Sequence, residues 1–208
     1  MNKPKSYYYD WSVEKLNEID KLAQKPTILL HACCAPCICW PLEFLYEHFE
    51  ISVLYNNSNI WPQEEYDIRK NEIVSYIDTF NKQHNTGIQI TVTPYDYQSY
   101  REKLLPLKDE PECGVRCHLC YKTRMEEAYQ YANDHHFDYF CTIMTISRQK
   151  SSRVMNEIGE QLQNQFETKY FFSDFKKKNG LLRRNELVKE YRLYNQTYCG
   201  CEFSYHKK

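Results

Sequence analysis

The residues with the most chemistry to offer are cysteines, and they are grouped. HACCAPCIC carries Cys33, Cys34, Cys37 and Cys39, ECGVRCHLCY carries Cys113, Cys117 and Cys120, and YCGC carries Cys199 and Cys201. The tenth, Cys141, lies in an apolar run and reads as a small buried hydrophobe. Ten cysteines in 208 residues fall below the roughly 8–10% of a small disulfide scaffold. The first residues, MNKPKSYYYDW, are basic and aromatic with no apolar core, so no signal peptide is read there. The expected compartment is the cytoplasm, where disulfides do not persist. Clustered thiols there point to metal ligands or redox catalysts.

The pair Cys117 and Cys120 is a chelating CxxC, a spacing shared by zinc knuckles and thioredoxin-type motifs. Cys33 and Cys34 are adjacent, so their thiolates diverge. Divergence suits two iron corners of a cubane better than one tetrahedral zinc. Cys33, Cys34, Cys117 and Cys120 together supply the four thiolates that a [4Fe–4S] cluster takes. Structural zinc is the alternative for the same residues. Cys37, Cys199 and Cys201 form a second group. Gly200 frees the backbone so that its flanking sulfurs can converge. This trio is read as catalytic, either holding a second, mononuclear iron or cycling between dithiol and disulfide. Cys39 and Cys113 have no role on this reading.

Around these motifs, His31 and His118 flank cysteines, and Arg116 and Arg124 flank the CxxC, where they would balance cluster charge. Lys169 to Lys208 holds ten Lys and Arg against four Asp and Glu, a local charge of +6 in a chain of net charge −1. Lys176, Lys177, Lys178, Arg183 and Arg184 in this segment are the candidate RNA-phosphate contacts. The 19 tyrosines offer faces on which bases can stack. Mean hydropathy is −0.76, and no apolar run approaches the about 20 residues a bilayer needs, so no membrane partner is expected.

The elements that must position these groups alternate. The spacing of Val13, Leu16, Ile19 and Leu22 predicts a helix over Ser12–Ala23 with Ser12 as N-cap. A strand follows at Thr27–His31, then the cysteine loop, then a helix opened by Pro41 and running through His48. Strands are predicted at Ile51–Tyr55, Ile88–Thr93 and Tyr139–Ile143. Helices are predicted at Gln63–Phe80, Tyr121–Asn133, Ser151–Gln165 and Arg183–Tyr194, and a charged, proline-bounded stretch at Tyr97–Glu112. This order implies an α/β fold with a parallel, Rossmann-like sheet and helices on both faces. Ligands of such sheets sit beyond the carboxyl ends of the strands. CCAPC after the first strand and NNSN after the second would share that crevice. The organisation expected is one domain over 1–208, with a helical extension at 1–26, a cysteine-rich insert and the basic tail 169–208.

The segments ILLHACCAPC, YNNSNIWPQEEYDIRK, EPECGVRCHLCYKTR, TISRQKS and DFKKKNGLLRRNELVKEYRLYNQTYCGCEFS span most of the chain. Their order resembles the iron–sulfur, cobalamin-independent epoxyqueuosine reductases. The resemblance implies a fold similar to the PP-loop nucleotide-binding α-hydrolase class. It implies a [4Fe–4S] cluster on Cys33, Cys34, Cys117 and Cys120, with Cys37, Cys199 and Cys201 as the second functional group. The implied substrate is tRNA carrying epoxyqueuosine, deoxygenated by two electrons to queuosine at the wobble position in the last step of queuosine biosynthesis. An electron donor such as ferredoxin or flavodoxin is implied with it. Glu64, Glu65, Asp174 or a tyrosine would give a proton. Cys113 and the YNNSN loop depart from the family pattern. Two rival readings are an iron–sulfur tRNA thiolation enzyme and a non-catalytic zinc module that binds RNA. The first would need a Ser-Gly-Gly-type ATP loop where HACCAPC stands.

Overall fold

The computed structural model describes residues 4–205; residues 1–3 of the expected N-terminal extension and 206–208 of the basic tail lie outside them. Five strands form one sheet: β1 Thr27–Ala32, β2 Glu50–Tyr55, β3 Gln89–Val92, β4 Tyr139–Thr142 and β5 Lys169–Tyr170. Their order is β3-β2-β1-β4-β5, and every neighbouring pair is parallel. The Rossmann-like α/β expectation therefore holds. The strand order reverses between β1 and β4, which creates a crevice at their carboxyl ends.

Side-chain alternation along each strand divides the core into two faces. Ile28, Leu30, Ile51, Val53 and Phe171 pack with α1 (Tyr7–Ile19), α2 (Ala35–Leu45), α3 (Gln63–His84) and α7 (Gly180–Glu190). Leu29, Leu54, Phe140 and Tyr170 pack on the opposite face with α4 (Tyr97–Leu104), α5 (Val115–Asp134) and α6 (Ser152–Gln163). No helix among the described residues is long and apolar enough to cross a membrane.

Several boundaries differ from expectation for physical reasons. α1 begins at Tyr7, because Tyr8 stacks on Phe172 and Trp11 packs edge-on against Phe171 and Phe172. Ser12 does not cap; its hydroxyl donates back to the Tyr9 carbonyl at 2.6 Å. α2 begins at Ala35, with Pro36 in its first turn and Pro41 inside it. A prolyl N–H is not missed at the start of a helix, and Pro41 is carried further in by its buried apolar surroundings. α5 starts at Val115, so the CxxC lies on a helix. The charged stretch contains α4, capped by Asp96, whose side chain accepts from the Ser99 N–H at 3.1 Å.

Candidate functional site

The cysteine loop is built by the change from strand to helix. β1 ends at Ala32, and Cys34 stands in extended conformation as the N-cap of α2. The Cys37 and Ile38 N–H groups both donate to the Cys34 carbonyl at 3.2 Å. The Sγ atoms of Cys33, Cys34 and Cys37 thereby lie within 4.8 Å of one another, a spacing that could hold a metal ion. The positive end of α2 favours anionic sulfur here. Thiol hydrogen bonds from Cys34 and Cys37 hold Cys33 well below the ordinary thiol range. Burial raises Cys34, and the neighbouring Cys33 pushes Cys37 up to about 12.

The grouping by proximity is informative. Cys37, read from sequence with the tail pair, stands with Cys33 and Cys34. Cys117 and Cys120 approach from the first turns of α5, both buried. The Cys113 N–H donates to Cys117 Sγ at 3.2 Å, and the Tyr100 hydroxyl to Cys120 Sγ at 3.3 Å. Burial pushes Cys120 up to about 11, with Cys199 and Cys201 among the groups that add to the rise. Burial raises Cys201 as well, followed by its neighbour Cys199. Cys113 has a use after all: its thiol donates to the Gln149 carbonyl at 3.0 Å and clips the loop after β4. Cys39 and Cys141 are fully buried in the core.

A cavity of about 300 Å³ opens at the crevice. Cys33, Cys37 and Cys199 line it, together with Asn57, Asn59, Arg124 and Lys150. NNSN does reach this crevice, as its position after β2 implied. Asn57 is its organiser: Nδ2 donates to the Ala32 carbonyl at 2.8 Å, and Oδ1 accepts from Arg124. Burial opposes the charge of both Arg124 and Lys150. Cys120 and Tyr100 outweigh it at Arg124, and Cys199 and Cys33 outweigh it at Lys150, so each cation is held above its usual range. Two cations among thiols fit an anionic metal–thiolate centre.

Other expected residues serve elsewhere. Arg116 donates to the carbonyls of Leu107 at 3.3 Å, Lys108 at 2.7 Å and Glu110 at 2.5 Å, and its guanidinium stacks on Phe203. His31 is fully buried, and burial, then Arg124, pushes it down to about 3, so it is neutral at neutral pH. His118 is exposed. Glu65 is bound by Arg69 at 2.7 Å and by the Tyr194 hydroxyl at 2.9 Å. Asp174 accepts from Ser152 at 2.8 Å. Glu64 lines a neighbouring cavity.

The basic tail is divided in the same way. Lys176 Nζ donates to the Thr145 carbonyl at 2.8 Å and the Lys150 carbonyl at 3.3 Å. Arg183 grips Glu43 through Nε at 2.8 Å and Nη2 at 2.7 Å. Arg184 lines the cysteine cavity and donates to the Pro36 carbonyl at 2.9 Å. Lys178 is exposed and Lys177 half-buried.

Three contributors escaped the motif reading: Lys150, Arg69 and Gln196. Gln196 donates to Cys34 Sγ at 3.1 Å. Each lies inside a segment that carried the resemblance, but their spacing alone signals nothing.

The epoxyqueuosine reductase QueH family model matches residues 28–207. The epoxyqueuosine reductase QueH of Streptococcus pyogenes is 37% identical over 205 residues, covering 98% of this chain and 80% of the relative. That of Staphylococcus aureus is 35% identical, covering 94% and 83%. That of Thermotoga maritima is 27% identical, covering 86% and 90%. With Cys33, Cys37 and Cys199 lining one cavity and similarity of this extent, the chain belongs to the epoxyqueuosine reductase QueH family.

Proposed function

We propose that this oxidoreductase converts epoxyqueuosine to queuosine at the wobble position of tRNA, at a cytoplasmic iron–sulfur centre and without cobalamin. The observation that carries the reading is one cavity lined by Cys33, Cys37 and Cys199, with Arg124 and Lys150 among them. In the reaction both C–O bonds of the epoxide break and a C=C bond forms. Two electrons and two protons enter, and the oxygen leaves as water.

Cys33, Cys34, Cys117 and Cys120 are the proposed ligands of a [4Fe–4S] cluster, and the donor set fits it, being thiol sulfurs beside the buried Arg124 and the half-buried Lys150. Such a cluster supplies electrons one at a time. Cys37, Cys199 and Cys201 are the second group, as ligands of a further iron or as a dithiol. The triad of Cys33, Cys34 and Cys37 supports placing that group next to the cluster ligands. The chain's own side chains do the rest. Asn57 ties the β2 loop to the end of β1, and Arg124 holds Asn57 from α5. Lys150 lines the same cavity and is proposed to give a proton to the departing oxygen. Lys177, Lys178 and Arg184 are the proposed phosphate contacts. Lys176 and Arg183 belong to the same basic patch, but their charges are already engaged within the chain.

Anaerobic purification with iron and sulfide analysis tests the centre. Nucleoside mass spectrometry of tRNA incubated with reductant, such as reduced ferredoxin or flavodoxin, tests the reaction. Zinc in place of iron, or epoxyqueuosine left unchanged by an iron-loaded protein, would overturn it.

A further inference from the structure

The cysteine cavity has a neighbour of different chemistry. A second cavity, of about 510 Å³, shares Gln149, Thr197 and Tyr198 with it. The shared wall therefore separates two adjoining compartments. The first is polar, with Asn57, Asn59, Arg124 and Lys150. Asn59 Oδ1 is buried there without a partner. The second is aromatic, lined by Tyr194, Tyr198 and Tyr205 with Ile68.

The aromatic wall is held firmly. Tyr205 meets Trp61 edge-on at 5.0 Å and Tyr198 edge-on at 5.3 Å. Arg69 lies over Tyr198 at 5.4 Å. Tyr194 is anchored by its hydroxyl to Glu65. Yet Tyr194 stays 38% exposed and Ile68 47% exposed, both facing the cavity. Glu64 and Glu112 also line it and form no ion pair among the described residues.

The substrate of the proposed reaction has two matching parts. One is a flat 7-deazaguanine ring with the N–H edge of guanine. The other is a hydroxylated cyclopentane that carries the epoxide, joined through an aminomethyl link. Single-stranded bases are recognised by stacking on aromatic side chains and by hydrogen bonds along their Watson–Crick edge. Resting on the reductase reading above, we propose that the tyrosine-lined cavity seats the 7-deazaguanine ring of the wobble nucleotide. Its side chain then passes the Gln149–Thr197–Tyr198 wall into the cysteine cavity. Tyr194 and Ile68 stack on the ring, and the carboxylates of Glu64 and Glu112 accept from its N–H edge. Asn59 Oδ1 accepts from a hydroxyl of the cyclopentane. The division explains why a reductase site needs an aromatic room beside its thiols.

The test uses the full chain and two readouts. An anticodon stem–loop with 2-aminopurine at the wobble position reports stacking by fluorescence quenching, independently of reduction. Tyr194→Ala and Ile68→Asp should weaken that quenching, and Tyr194→Phe should retain most of it, since the ring makes the stack and the hydroxyl only anchors it to Glu65. With epoxyqueuosine tRNA, Tyr194→Ala should raise KM about tenfold, the scale of one lost base–aromatic stack, with kcat within about twofold. Ile68→Asp guards against misfolding, because the position is half open to solvent. If the wild type makes queuosine while both variants keep its quenching and KM, the base seat is wrong. If the wild type quenches but makes no queuosine, the reductase reading fails and the base seat stands.

Discussion

The Arg69 guanidinium donates to the Cys199 carbonyl at 3.2 Å and to the Tyr198 carbonyl at 3.3 Å. Its Nε is held by Glu65 one helical turn away at 2.7 Å. A buried ion pair on α3 thus fixes the backbone of the YCGC tail. The Trp61 N–H adds a bond to the Gly200 carbonyl at 2.7 Å.

Arg69→Ala should strand the Glu65 carboxylate in the interior and release the tail. Breaking a buried pair from one side costs about 3–5 kcal/mol. Denaturant unfolding should show that loss, and limited proteolysis should cut near Tyr198. Arg69→Lys should recover only part of it, since an ammonium cannot serve Glu65 and two carbonyls with one planar fork.

Gly200 has φ +117°, and a Cβ there would stand 2.9 Å from Arg69 Nη1. Gly200→Ala should cost about 1–3 kcal/mol of strain and displace Cys199 and Cys201. Queuosine formation should fall far more than the far-ultraviolet circular dichroism changes. A fully active Gly200→Ala enzyme would show that the tail tolerates another path.

Alanine at Cys33, Cys34, Cys117 or Cys120 should lower iron and sulfide content and bleach the visible absorption. The double change Cys199→Ser with Cys201→Ser should keep that absorption and stop queuosine formation. Cys37→Ala is the deciding variant, because Cys37 lies within the Cys33–Cys34 group. Retained cubane iron with lost activity would place it with the tail pair. Lost cubane iron would place it among the cluster ligands.

Lys177→Ala with Lys178→Ala should weaken tRNA binding and flatten its salt dependence, by roughly 0.7–0.9 in log–log slope for each phosphate contact removed. Lys176→Ala should behave differently. Its ammonium ties the 145–150 loop, so the expected effect is lower stability and a displaced Lys150, with the salt slope little changed. Filter-binding titrations from low to moderate salt separate the two.

Local patterning made much of this molecule legible. The apolar runs at Thr27–His31 and Ile51–Tyr55 are strands because buried parallel strands need continuous β-branched and aliphatic side chains. Strand and helix alternation implied the parallel sheet, and turn residues located the loops that follow β1 and β2. The three cysteine motifs announced metal or redox chemistry because thiols at such spacing have few other uses. What the chain order could not carry is distance. Cys37 joins Cys33 and Cys34 because α2 starts at Ala35 and turns its first loop of backbone beneath them. Arg183 and Lys176 are tied to the chain because Glu43 and the Thr145 carbonyl arrive from elsewhere in it. Lys150 and Gln196 reach the thiols only after β4 pairs with β1 and the tail folds onto the cysteine loop. Periodicity reports a residue's neighbours along its own element, whereas a site at a sheet's switch point is assembled from loops whose meeting depends on strand order and packing.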